Sequence, residues 1–142
     1  MDNHVHLLLK ENHEGGTSRY MQRLLNSYAK YFNVRHNRSG PLFTGRFKAV
    51  LVDEDDQLLH VSRYIHLNQY VAHMIKDPLE YKWSSLSSYI ATTSTSKPKI
   101  ECHSGLISEL MDQSAYRKFV TDEADYAQAN HDSEHLLIDF ED

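Results

Sequence analysis

Apolar residues recur along this chain with two periods. Met21, Leu24, Leu25, Tyr28 and Phe32 fall at three- and four-residue steps, which predicts a helix from about 17 to 36 with one buried stripe. Gly15, Gly16 and Thr17 form the break before it. Leu58, Val61 and Ile65 repeat the helical step and predict a second helix from about 55 to 69, entered through the carboxylates of residues 53 to 56, which suit the positive end of a helix dipole. Two other stretches read as strands. They are HVHLLL (4 to 9) and LFTGRFKAVLV (42 to 52), the latter rich in β-branched and aromatic residues and preceded by turn chemistry at Asn37 to Pro41. A short helical piece is expected at 70 to 75, broken by Asp77 and Pro78. Within YKWSSLSSY (81 to 89), Trp83, Leu86 and Tyr89 are spaced to form one packed face, with Trp83 in the core.

These elements predict an α+β fold, an antiparallel sheet with helices packed on it. Residues 1–90 form the main domain, 91–104 (small, polar, with Pro98) a linker, 105–130 a carboxy-terminal helical extension and 131–142 an acidic tail. The apolar positions of the extension are Leu106, Leu110, Tyr116, Phe119 and Val120. A chain of 142 residues is enough for one core.

Charge changes this picture once it is divided along the chain. The net charge is -5, yet residues 1 to 52 hold eight Lys or Arg against three Asp or Glu, whereas the rest holds seven against seventeen. The basic half suits phosphate contacts, and Arg46 and Lys48 fall on one face of the predicted 42 to 52 strand. The single cysteine, Cys102, makes no intramolecular disulfide, and no apolar run approaches the roughly 20 residues needed to cross a bilayer. A cytoplasmic protein without a membrane partner is expected.

The candidate chemistry lies in the first predicted strand and the second helix. On a strand, His4 and His6 share one face, roughly 6.6 Å apart along the chain. On a helix, Tyr64 and Asn68 are one turn apart, with about 5–6 Å between their Cβ atoms. Two imidazoles at that spacing can bind one divalent ion, with Asn68 as an oxygen ligand and Tyr64 as a nucleophile beside it. Such a set suits phosphoryl transfer, because a divalent ion offsets the charge by which a phosphodiester repels a phenolate. Taken alone, His4 and His6 also read as surface histidines and Tyr64 as a packing residue. His66, two residues from Tyr64, points to another face and reads as structural.

The pieces MDNHVHLLL (1 to 9), YAKYFNVRHNRSGPLFTGRFKAVLV (28 to 52), RYIHLNQYVAHMI (63 to 75) and YKWSS (81 to 85) occur in an order and at a spacing that resembles the single-tyrosine HUH transposases, the REP-associated tyrosine transposases in particular. The resemblance covers about residues 1 to 90. It implies the ferredoxin-like or RRM-like HUH fold, Mg²⁺ or Mn²⁺ bound by His4, His6 and Asn68, and Tyr64 as the nucleophile. The implied activity is cleavage and rejoining of single-stranded DNA, often beside a hairpin, through a covalent 5'-phosphotyrosine and a free 3'-hydroxyl. Family members carry a strand and a helix before the HUH strand, so an amino-terminally shortened member is expected, with Gln69 where the family has proline. A shortened sheet exposes an edge, so a homodimer is a further expectation. The competing reading is a non-catalytic remnant that at most binds DNA or another subunit. A metal-dependent hydrolase is a third, and it needs an acidic residue beside the histidines.

Overall fold

In the computed structural model, the described residues are 4–90 and 102–129. They form five α-helices: α1 Gly16–Arg35, α2 Asp55–Val71, α3 Gly105–Leu110, α4 Gln113–Thr121 and α5 Ala124–Ala129. Short 3-10 turns occur at Pro78–Glu80 and Leu86–Ser88. The predicted linker lies outside the described residues except for 102–104, and so does the acidic tail.

The expected antiparallel sheet is a correction. Among the described residues there is no strand, and both 4–9 and 42–52 run without a ladder or a helix. Strand propensity is realised only when alternate side chains pack against cross-strand neighbours. Here that packing is missing: Val5 is 67% exposed, Val50 51% and Leu51 80%. The ferredoxin-like arrangement and the sheet edge that motivated a homodimer fall with it, and so does the strand face assigned to Arg46 and Lys48.

The chain divides into two compact units, Leu7–Leu51 and the remainder. In the Leu7–Leu51 unit, α1 follows a left-handed Gly15 (φ 70°), a conformation that glycine adopts without steric cost. Gly15, not Thr17, is the residue before the first turn. The Glu11 carboxylate accepts from the N–H of Gly15 (2.8 Å) and of Thr17 (3.1 Å), so it covers donors that an N-cap side chain would otherwise satisfy. Hydrogen bonding to Thr17 holds the Glu11 carboxyl below its usual range. After α1 the chain turns through a left-handed Asn37, fastened by Asn33 Nδ2 donating to the Gly40 carbonyl (2.9 Å). Of the predicted stripe only Met21 is buried, while Leu24 and Tyr28 are exposed.

The other unit is built on α2. Asp55 and Asp56 occupy its first turn, as the acidic run predicts, and it continues two residues past the predicted end. Gln69 permits this, since a proline at that position would remove a backbone donor and clash with the preceding turn. Past Ala72 the chain leaves the helix through a left-handed His73, and the Asp77 side chain caps the 3-10 turn by accepting from Leu79 N (2.8 Å). The predicted extension is three short helices. They close a core of Leu67, Leu86, Ile90, Ile107, Tyr116, Val120 and Ala124. Trp83 is a second correction: it is 66% exposed, and Leu86 and Ile90 fill the core from that segment.

This core holds a polar chain. His66 Nε2 meets Ser85 Oγ (3.1 Å), His66 Nδ1 meets Tyr116 Oη (2.9 Å), Tyr116 Oη meets Ser62 Oγ (2.8 Å), and Ser62 Oγ donates to the Leu59 carbonyl (2.9 Å). One assignment of protons satisfies every group. Ser62 gives its proton to Leu59, Tyr116 donates to Ser62, the neutral imidazole donates to Tyr116 from Nδ1, and Ser85 donates to Nε2. Burial disfavours the charged ring and pulls His66 down from 6.5 to about 4. Burial likewise pushes Tyr116 up to about 12, so it stays a phenol.

The His66 shift sets a pH dependence. With the folded value below the unfolded one, the unfolded chain binds more protons between pH 6.5 and about 4, so this contribution is fully present above 6.5 and is lost as pH falls towards 4. The shift corresponds to a loss on the order of 3 kcal/mol. His66→Asn keeps an amide donor facing Tyr116 but does not titrate. Urea unfolding at pH 7.5 and 4.5 should therefore show a smaller acid loss in the variant than in the wild type, and equal losses would assign the acid sensitivity to other groups.

Candidate active site

His4 and His6 belong to the same compact unit as α2. They lie just before the break between the units, with His4 exposed and His6 half-buried. The two imidazole centroids are 4.9 Å apart, the rings edge to face at 82°. The His6 ring stands 5.5 Å from the Tyr64 ring at 75°. One turn further along α2, Asn68 is 8% exposed. Its Oδ1 is buried and accepts no hydrogen bond among the described residues. The three rings thus come together without the ladder that the sequence reading required.

Leaving a buried amide oxygen without a donor costs about 1–3 kcal/mol, and a cation is one partner that removes the cost. The donor set, two imidazoles and an amide oxygen, suits a divalent first-row ion or magnesium more than a soft, thiolate-seeking one. Among the described residues no three of His, Cys, Asp and Glu gather in one place.

Arg46 and Lys48 belong to the other unit and are exposed. Sequence reasoning passed over the polar chain that holds α2, placing Tyr116 only as an apolar position. The signal for it was the pair Ser62 and His66, two polar residues one helical turn apart that recur on a buried face. Arg63 ties α2 to α4 and to the turn after it: its guanidinium carbon lies 4.2 Å from the Phe119 ring centroid, and Nη1 is 3.8 Å from Glu123 Oε1.

The profile of the IS200-like transposases matches residues 1–68, just under half of the chain. The match takes in His4, His6, Tyr64 and Asn68 and ends at Asn68. Over those residues the match supports the resemblance carried by the motifs. No curated protein matches the chain, and no solved structure does. No helix among the described residues is long and apolar enough to cross a membrane.

Proposed function

We propose that this transposase-family chain cleaves and rejoins single-stranded DNA through a covalent bond to Tyr64, with a divalent ion, Mg²⁺ or Mn²⁺, held by His4, His6 and Asn68. The observation that carries this reading is the gathering of the His4, His6 and Tyr64 rings, with the buried, unsatisfied oxygen of Asn68 one turn further along the helix that bears Tyr64. A bound ion would offset phosphate charge and act as a Lewis acid. Tyr64 supplies the nucleophile. Its Oη forms a bond to phosphorus as the P–O3' bond breaks, the phenolic proton is lost, and the departing 3' oxygen takes up a proton. The products are a 5'-phosphotyrosine and a free 3'-hydroxyl. Attack by a 3'-hydroxyl reverses these steps and rejoins a strand, with the bond energy retained in the phosphotyrosine.

The edge contact between His6 and Tyr64 restricts where the phenol ring can turn, which favours one line of approach to the phosphate. Arg46 and Lys48, exposed in the basic half of the chain, are the proposed contacts to the DNA backbone. A hairpin beside the cleaved strand is part of the proposed substrate.

The test is covalent capture. Folded protein incubated with a single-stranded oligonucleotide and Mn²⁺ or Mg²⁺ should yield a protein–DNA adduct stable to denaturant. Excess chelator should remove the adduct, and added Mn²⁺ should restore it. An adduct that forms equally well in chelator would overturn the metal's part. No adduct from folded protein in either ion would leave a non-catalytic, DNA-binding role.

A further inference from the structure

Tyr64 sits on a helix whose other side is pinned from outside the family segment. Ser62 and His66 flank it at two residues on either side, and both engage the single phenolic oxygen of Tyr116. Tyr116 lies on α4, beyond the matched residues 1–68, and is fully buried. Positions 62 and 66 are one helical turn apart, so a hub that holds both restrains α2 along its axis and against rotation about it. Arg63 adds a cation–π contact to Phe119 on α4. The effect proposed for this chain of hydrogen bonds on the site passes through α2.

We propose that Tyr116 is a positioning residue, setting through Ser62 and His66 the rotation of α2 that brings the Tyr64 ring against His6. Its catalytic consequence rests on the function proposed for Tyr64, but the placement itself does not. Replacing Tyr116 by phenylalanine keeps the ring that fills the core and leaves both Ser62 Oγ and His66 Nδ1 without their shared partner. A helix free to turn by even a small angle moves a side chain on its far side, and a misplacement of about 1 Å at a reacting atom can cost on the order of 10²-fold in rate.

The experiment compares wild type with Tyr116→Phe, Ser62→Ala and Val120→Ala. Ser62→Ala breaks the chain at its other end and introduces a better helix former, so it decides the matter if Tyr116→Phe fails to fold. Val120→Ala destabilises the same core without touching the polar chain. The first readout is the nuclear Overhauser contact between the Tyr64 and His6 rings in the protein alone. It should weaken in Tyr116→Phe and Ser62→Ala and persist in Val120→Ala. The second is the single-turnover rate of adduct formation, expected to fall about 10-fold or more in the first two variants while oligonucleotide Kd changes less than about twofold. An undiminished ring contact in both polar-chain variants overturns the proposal, as does an equal loss in Val120→Ala, which would mean core stability alone. If wild type forms no adduct the function proposed for Tyr64 fails, and the ring contact still decides whether Tyr116 positions it.

Discussion

Tyr64→Phe is expected to form no detectable covalent adduct with single-stranded DNA, while folding and DNA affinity stay near wild type. The substitution removes one oxygen and keeps the ring whose centroid lies 5.5 Å from that of His6, so local packing is preserved. Only the attacking atom goes. With that oxygen absent, any residual cleavage would leave ends without protein attached. Denaturing electrophoresis with a labelled oligonucleotide separates the two outcomes. A persisting adduct would move the nucleophile to another of the nine tyrosines. Tyr28 and Tyr31, both at least half exposed, are next in line.

The second large effect is on stability. Leu67→Ala should cost about 2–5 kcal/mol in urea unfolding at neutral pH, because it leaves a cavity where α2 meets the rest of the core. Leu67 is 2% exposed and belongs to the cluster with Leu86, Ile90, Ile107, Tyr116, Val120 and Ala124. Leu51→Ala is the control: at 80% exposure it should change stability by no more than about 0.5 kcal/mol. A loss in Leu67→Ala no larger than in the control would mean that residues 105–129 do not close over α2. Any function assigned to Tyr64 depends on this core, since Leu67 adjoins both His66 and Asn68.

The helices were legible because their signals are local. The three- and four-residue recurrence gave α1 and α2 to within a few residues, and the carboxylates at 53 to 56 marked where α2 begins. The backbone of a helix satisfies itself, so the pattern needs no distant partner. The strand readings failed for the converse reason. Residues 4–9 and 42–52 have the composition of strands, but a strand is completed only by a neighbour, and composition names no neighbour. Trp83 erred in a related way, since large apolar residues favour the interior on average while each one's burial depends on what the fold sets above it.

The candidate site divides along the same line. Sequence by itself determined the residue types, the one-turn step from Tyr64 to Asn68, and the motif order by which residues 1–68 match the IS200-like transposase profile. It could not determine that His6 meets Tyr64 edge to face, or that the amide oxygen of Asn68 is buried without a donor. Nor could it show that Tyr116, about fifty residues further on, ties Ser62 to His66. Those facts belong to the tertiary structure, because a contact between segments distant in sequence depends on the path of everything between them. Periodicity records which face of an element is apolar, whereas the partner on that face is fixed only when the whole core packs.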